Sequence, residues 1–289
     1  MHARLHTRFC DVIGVEYPIV QTGMGWVSGA GLTAATAAAG GLGLLASATM
    51  DFDQLRQAIA QVKQRTSNPF GVNLRADAAD IDDRIQLLID EHVKVASFAQ
   101  APKEALIGRL HDGGVLVVPS IGAKRHAEKV LEWGVDAVLV QGGEGGGHTG
   151  SVPTTILLPQ VVDAVQGRVP VIAAGGFFDG RGLVAALAYG ADAVAMGTRF
   201  LLSADSAVPQ VVKDYYLGKT VTDTVVTKQI DGVPHRMLDT ELVEEVESGV
   251  LPSGQVVGLI DDLPTCKELI DRIIAEADKV LENLEGTSG

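Results

Sequence analysis

The stretch Gln141-Gly142-Gly143-Glu144-Gly145-Gly146-Gly147-His148 sets one histidine among five glycines. So much glycine predicts no regular element but a flexible or closely approaching loop. A histidine there has no core to fill, and imidazole is the side chain best suited to proton transfer near neutral pH. The competing reading is a surface histidine in a mobile loop. A second cluster pairs Gly175-Gly176 with Gly197-Thr198, 21 to 22 residues on. Without a Cβ, glycine lets backbone N–H groups come close to a ligand, and phosphate is what such amides hold. The alternative is that these glycines only make tight turns. Met24 and Trp26 form an apolar pair that either covers a flat ring or plugs the structure beneath it. His92, His111 and His126 read as solvated helix positions. No pair of histidines or carboxylates shows metal-ligand spacing, so no metal is expected.

These residues need elements to position them. Eight short apolar runs lie between Tyr17 and Leu202: Pro18–Gln21, Gly43–Ala46, Phe70–Asn73, Val93–Ala96, Val115–Val118, Ala137–Val140, Val169–Ile172 and Ala193–Met196. Continuous rather than alternating, they suit parallel strands covered on both faces. Amphipathic segments of helical length separate them, among them Asp53–Arg65, Ile81–Glu91, Lys103–His111, Lys124–Trp133 and Arg181–Tyr189. Eight strand-plus-helix units predict an α/β fold, a (β/α)8 TIM barrel with a C-terminal helical extension, in one domain over 1–289. The barrel should span about 17–205 and the extension about 206–289. Within the extension, Val221–Ile230 reads as an irregular excursion, Glu241–Glu247 as a short acidic helix and Asp262–Leu284 as a terminal helix. In a barrel the chemistry belongs at the C-terminal strand ends, and phosphate sites follow the seventh and eighth strands. Met24, Asn73, Ser120, Gln141, Ala174-Gly175-Gly176 and Gly197-Thr198 all fall at such ends.

Composition narrows the partners. Of 289 residues, 46% are hydrophobic and 20% charged, the balance of a globular protein. With 36 acidic against 23 basic groups the formal charge is -13, which argues against a nucleic-acid partner. Two cysteines, Cys10 and Cys266, make neither a CxxC pair nor a disulfide framework. No signal peptide and no apolar run of membrane-spanning length is evident, so the expectation is a cytoplasmic protein acting on a small molecule.

Taken together, these motifs resemble the nitronate monooxygenases (2-nitropropane dioxygenases) and their relatives, the FMN-dependent enoyl-ACP reductases and NADH:quinone reductases. The carriers are Pro18-Ile19-Val20-Gln21-Thr22-Gly23-Met24, Ala39-Gly40-Gly41-Leu42-Gly43, Gly71-Val72-Asn73-Leu74, Glu144-Gly145-Gly146-Gly147-His148, Ala174-Gly175-Gly176-Phe177-Phe178-Asp179-Gly180 and Met196-Gly197-Thr198-Arg199-Phe200. The resemblance runs from about Arg8 to Leu284. The resemblance implies FMN across the strand ends, with Gly23, Met24 and Gly25 on the flavin ring and Asn73 hydrogen-bonded to it. It implies Gln141 near the ribityl chain, and Ala174, Gly175, Gly176, Gly197 and Thr198 around the phosphate. Ser120 and Gly147 would also lie beside the cofactor. His148 matches the active-site histidine, a base in the nitronate enzymes and an aid to substrate binding or protonation in the reductases.

Three departures stand out. The family loop usually reads Glu-Ala/Cys-Gly-Gly/Ala-His, so Gly145-Gly146 is more flexible here. Ser120 stands where some quinone-reductase relatives carry a lysine near the flavin. Relatives also carry a helical segment, covering the active site, between the stretches matching Glu241–Gly249 and Gly254–Cys266. Here Gly249-Val250-Leu251-Pro252 joins them directly, and the expectation is a further stretch of chain near 250. The functional expectation is an FMN-dependent oxidoreductase of this type. An NAD(P)H-dependent reductase of a quinone or acyl thioester is the alternative, and the run Gly254–Asp262 resembles those branches. A non-redox barrel binding a phosphorylated metabolite explains Gly175-Gly176 and Gly197-Thr198 but not Met24, Asn73 and His148. NAD(P)H is a candidate electron donor and a homodimer a candidate assembly.

Overall fold

The computed structural model describes residues 2–239 and 250–286. Eight parallel strands close on themselves: β1 (Ile19–Gln21), β2 (Leu42–Ala46), β3 (Gly71–Leu74), β4 (Val95–Phe98), β5 (Leu116–Ile121), β6 (Val138–Gln141), β8 (Val171–Ala174) and β9 (Ala193–Met196). Strand β9 returns to β1 with Val194 beside Ile19 and Met196 beside Gln21, closing the TIM barrel. The intervening helices are α2 (Ala30–Ala38), α3 (Phe52–Arg65), α4 (Ile81–Asp90), α5 (Glu104–Asp112), α6 (Lys124–Glu132), α7 (Thr154–Val165) and α8 (Gly180–Ala188).

Alternation along the strands divides the core in two. Val20, Leu42, Leu44, Val95, Val118, Leu139, Ile172 and Ala193 fill the inside of the barrel. Ile19, Leu45, Val72, Ala96, Val117, Val138, Ala173 and Val194 pack outward against the helices. Helix α1 (Arg8–Ile13) closes the N-terminal end, with Phe9 and Ile13 fully buried in the inner layer. Thr7 Oγ1 donates to Asp192 O at 2.6 Å, just before β9. The glycines around β2 have a packing reason. A Cβ on Gly43 would stand 2.3 Å from Thr33 O, so α2 lies flush on the strand there.

A small antiparallel sheet sits beyond the strand ends. It consists of β7 (Gly147–His148), β10 (Thr224–Thr227) and β11 (His235–Leu238), in the order β10-β11-β7. Two expectations are corrected. The glycine-rich loop is not wholly irregular, because Gly147 and His148 pair with Arg236 and His235. The excursion at Val221–Ile230 contains a strand, because β10 pairs with β11 from Thr224–Leu238 to Thr227–His235.

Helix α9 (Thr198–Leu201) follows β9, and α10 (Gln210–Leu217) leads into this sheet. The terminal helix runs Cys266–Gly286 and packs on α8 and α2. It starts later than Asp262, because Pro264 precedes it and Thr265 caps it. Glu268 N donates to Thr265 Oγ1 at 3.2 Å and Thr265 N to Glu268 Oε2 at 2.9 Å. Arg199, only 4% exposed, anchors the approach to this helix through Asp262 Oδ1 at 2.9 Å, and Arg272 takes Asp262 Oδ2 at 2.6 Å. Burial lowers the pKa of the Arg199 guanidinium, and the Asp262 carboxylate counters the effect. The acidic helix expected at Glu241–Glu247 lies outside the described residues, as does the chain up to Gly249. Among the described residues no helix is long and apolar enough to cross a membrane.

Candidate active site

The C-terminal strand ends bring most of the expected residues to one mouth. Strand β8 ends at Ala174 and hands the chain to Gly175 and Gly176, at φ +94° and +84°. This left-handed backbone favours glycine. A Cβ on Gly175 would also lie 3.0 Å from both Gly142 O and Thr154 Oγ1. Gly197 and Thr198 follow β9, and Thr198 Oγ1 accepts the Gly254 N–H at 2.9 Å. The register of Ala174 with Ala195 turns the Gly175 N–H toward β9, whereas among the described residues no acceptor of the chain takes the amide N–H of Gly176 or Gly197. Neighbouring amides left without a partner are the donor set that a phosphate group needs. The residues therefore fit the phosphate end of a flavin nucleotide.

The loop after β1 crosses to the same place. A Cβ on Gly197 would sit 3.1 Å from Thr22 Oγ1 and 3.4 Å from Met24 Sδ. One on Gly23 would fall 2.3 Å from Asn73 Cβ, and one on Gly25 would lie 3.3 Å from Thr49 Cγ2. Met24 is half-buried against apolar residues of both the barrel and the extension. Trp26 is 86% exposed and so does not plug the barrel; its φ of +64° is strained for a bulky residue. Asn73 lies in β3 rather than ending it, and its Nδ2 donates to Ser97 Oγ at 3.3 Å. Ser120 is within β5, half-buried and in register with Leu139. Among the described residues no hydrogen bond joins it to the others.

The third group surrounds His148. Gln141, the last residue of β6, donates through Nε2 to His148 O at 2.8 Å and to Gly146 O at 3.3 Å. Its amide thus folds the glycine loop back on itself and carries Gly147 and His148 into β7. The imidazole is exposed, with Nε2 2.8 Å from Asp231 Oδ2. Its ring centroid lies 3.7 Å from that of His235, which is buried. The Val233 N–H, donating to Asp231 Oδ1 at 3.0 Å, and then His148 hold the Asp231 carboxyl below the usual carboxylate range. Glu144, the other charged residue of the loop, is committed elsewhere. Its carboxylate accepts the Thr154 N–H at 3.0 Å and lies 2.7 Å from Thr154 Oγ1, at the start of α7. Arg236 ties the small sheet to the loop through Gly143 O at 2.9 Å and to β10 through Thr224 Oγ1 at 2.8 Å.

Sequence reasoning missed Asp231, His235 and Gly254. The i,i+4 spacing of Asp231 and His235 was a usable signal, but their partner His148 lies 83 residues before Asp231. The expectation of no metal rested on spacing along the chain and overlooked this trio, whose donor atoms all lie within 4.8 Å of one another. Gly254 approaches so closely that a Cβ there would lie 3.1 Å from Glu144 O.

A family model described as nitronate monooxygenase matches residues 6–86 and 79–252. A dehydrogenase of (3aS,4S,5R,7aS)-5-hydroxy-7a-methyl-1-oxo-octahydro-1H-indene-4-carboxyl-CoA from Mycobacterium tuberculosis is 52% identical over 342 aligned positions, covering 95% of this chain and 96% of that protein. Since 342 exceeds the 289 residues here, that relative carries residues without a counterpart in this chain. A probable nitronate monooxygenase from Staphylococcus aureus is 32% identical, covering 92% of this chain and 85% of that protein. Among solved structures, FabK from Thermotoga maritima superposes with a TM-score of 0.91 at 37% identity, over 97% of this chain and 99% of that one. On these matches the chain is an enzyme, and it belongs to the nitronate monooxygenase family of flavin oxidoreductases.

Proposed function

We propose that the chain is an FMN-dependent oxidoreductase whose substrate is a carboxylic acid carried as its CoA thioester. The observation that carries the reading is the separation of duties at the mouth. Backbone amides without partners lie at Gly176 and Gly197, and one oriented imidazole lies at His148. A mononucleotide is favoured because the donor set is a single cluster of amides, enough for one phosphate. Bound FMN would supply the two-electron acceptor or donor. Asn73, with Gly23 packed against it, would meet the ring's polar edge, and Met24 would cover its face. Ser120, Gln141, Gly147 and Ala174 complete the proposed cofactor surround.

The chain's own task is then proton transfer. Asp231 holds His148 through Nε2 and Gln141 holds it through the main chain, so the ring is oriented rather than free. His148 would take a proton from the carbon next to the thioester carbonyl, or return one to it. The choice of a CoA thioester rests on the relative that is 52% identical and is named for such a substrate. Small nitronates are the second reading, favoured by the family description and by the Staphylococcus relative. Two buried free thiols, Cys10 and Cys266, favour a reducing cytoplasm. NAD(P)H as electron donor, a homodimer, and one functional unit over the whole chain belong to the same proposal.

The test separates the half-reactions. Purified protein is mixed anaerobically with an acyl-CoA, a nitronate, NADH and NADPH in turn, following the loss of flavin colour. His148→Ala should keep its flavin yet lose about 10²–10⁴-fold in the step that moves a substrate proton. Its reduction by NAD(P)H, which needs no protein base, should be nearly unchanged. Bleaching by nitronate but by no acyl-CoA would move the assignment to the second reading, and a His148 variant of full activity would remove the base.

A further inference from the structure

We propose that His148, Asp231 and His235 form a site for a divalent transition-metal cation of the zinc class. His148 and His235 face each other in register on two antiparallel strands, β7 and β11, so both imidazoles leave the same face of the small sheet. Their ring centroids are 3.7 Å apart. Asp231 precedes His235 by four residues, and its two oxygens divide between the rings: Oδ2 lies 2.8 Å from His148 Nε2 and Oδ1 3.5 Å from His235 Nδ1. One donor atom from each of the three side chains lies within 4.8 Å of the other two.

These separations suit a metal. Bonds of about 2.0–2.2 Å place neighbouring donors about 3.3–3.5 Å apart around a tetrahedral ion. The His148–Asp231 pair would open by roughly half an ångström, and His235 Nδ1, 3.2 Å from Val233 O, would give up that contact and its proton to bind through this nitrogen. Two nitrogens and one oxygen are a donor set for zinc, copper or nickel, and not for magnesium or calcium, which take oxygen. His148 and Asp231 are exposed, so a fourth position is open to water, while His235 is buried and supplies a fixed wall. The surroundings hold the ligands in place. Gln141 fixes the His148 carbonyl, and the Thr149 N–H donates to Pro234 O at 3.0 Å beside His235. Of the cations nearby, Arg75 is matched by Asp77 through contacts of 3.0 and 2.8 Å, and Arg236 is engaged by Gly143 O and Thr224 Oγ1.

The site stands on geometry alone and does not need His148 to be a base. The test is equilibrium dialysis of the flavin-loaded protein against ZnCl2, with metal content measured in the absence of any substrate. Wild type should take up one zinc per chain at micromolar concentration. His235→Ala and Asp231→Asn should each weaken that binding about ten- to hundred-fold or more. Asp231 is exposed, so its variant folds even where the loss of buried His235 disturbs the sheet; retained flavin colour checks both. His111→Ala removes another histidine–carboxylate pair, that with Asp136 at 2.8 Å, and should leave zinc binding unchanged. Failure of wild type to bind zinc, or binding that survives both Asp231→Asn and His235→Ala, overturns the site. Neither result touches the half-reactions above, which are measured without metal.

Discussion

The barrel and the small sheet above it are built on opposite terms. The barrel strands are parallel and largely buried on both faces; beyond a few polar side chains near their C-terminal ends, such as Asn73, Ser120 and Gln141, they lend the mouth shape and backbone. The sheet of β7, β10 and β11 is antiparallel and half-exposed, and it carries His148, Asp231, His235 and Arg236. One region can therefore hold a cofactor through amides that no neighbouring strand uses, while the other varies the chemistry without touching the core. The two regions should fail differently when altered.

The largest effect belongs to the barrel. Gly43→Val would drive a side chain into the backbone of α2, since even a Cβ there meets Thr33 O at 2.3 Å. Neither the strand nor the helix can give way by that much in a close-packed interior. Expression should yield no folded protein by circular dichroism. A folded Gly43→Val variant would mean the barrel is more yielding than its packing implies.

Next comes the mouth itself. Gly176→Asp places a carboxylate at a left-handed position, beside the amides assigned to the phosphate. Gly176 has room, its nearest neighbour to a Cβ being Glu144 at 3.8 Å, so the fold should survive. The purified variant should be colourless with a wild-type circular dichroism spectrum. Full flavin occupancy would show that the phosphate lies elsewhere.

A smaller effect is expected where the extension joins the barrel. Asp262→Ala leaves buried Arg199 without its counter-charge; because Asp262 is 37% exposed, the cost should fall below the ~3–5 kcal/mol of a fully buried pair. The midpoint of denaturant unfolding should fall accordingly while flavin binding persists below it. Replacing Arg199 and Asp262 together by apolar residues should recover much of the loss, because the buried charge is then gone. A double variant no better than the single one would locate the effect outside the pair.

The same contrast governs what the sequence reveals. Continuous apolar runs marked all eight barrel strands, because burial on both faces leaves a local signature. Their starts were misjudged where a run includes the residue that closes the preceding helix. Val93 N donates to Leu88 O and Val115 N to Leu110 O, each at 2.9 Å, so β4 and β5 begin one or two residues later than the runs do. The pairing of Leu74 with Phe98 carries β4 further forward. The small sheet left a weaker trace. Thr224-Val225-Val226-Thr227 has strand chemistry, but Gly147-His148 becomes a strand only because Arg236 and His235 arrive beside it. Glycines and His148 were legible as types of residue; Asp231 and His235 showed only their own i,i+4 spacing, since their relation to His148 exists only in three dimensions.

The smallest effect tests the seam between the two regions. Asn73 is a polar side chain on a barrel strand, half-buried among neighbours that are nearly all apolar. Its Nδ2 already donates to Ser97 Oγ at 3.3 Å, and its main-chain oxygen accepts from Ser47 N at 3.1 Å and Ser47 Oγ at 2.7 Å. The backbone bonds survive substitution, so Asn73→Leu should leave β3 in place. What it removes is the amide. If that amide meets the flavin ring, the ring's polar edge is left without a partner, at a cost of about 1–3 kcal/mol in cofactor affinity. Leu is close to Asn in size, so the steric change beside Gly23 is small, although that contact is already tight. Titration of the flavin-free variant with FMN should therefore show weaker binding and a shifted absorbance band. Unchanged affinity together with an unchanged spectrum would take Asn73 away from the ring and return it to the barrel as a link to Ser97.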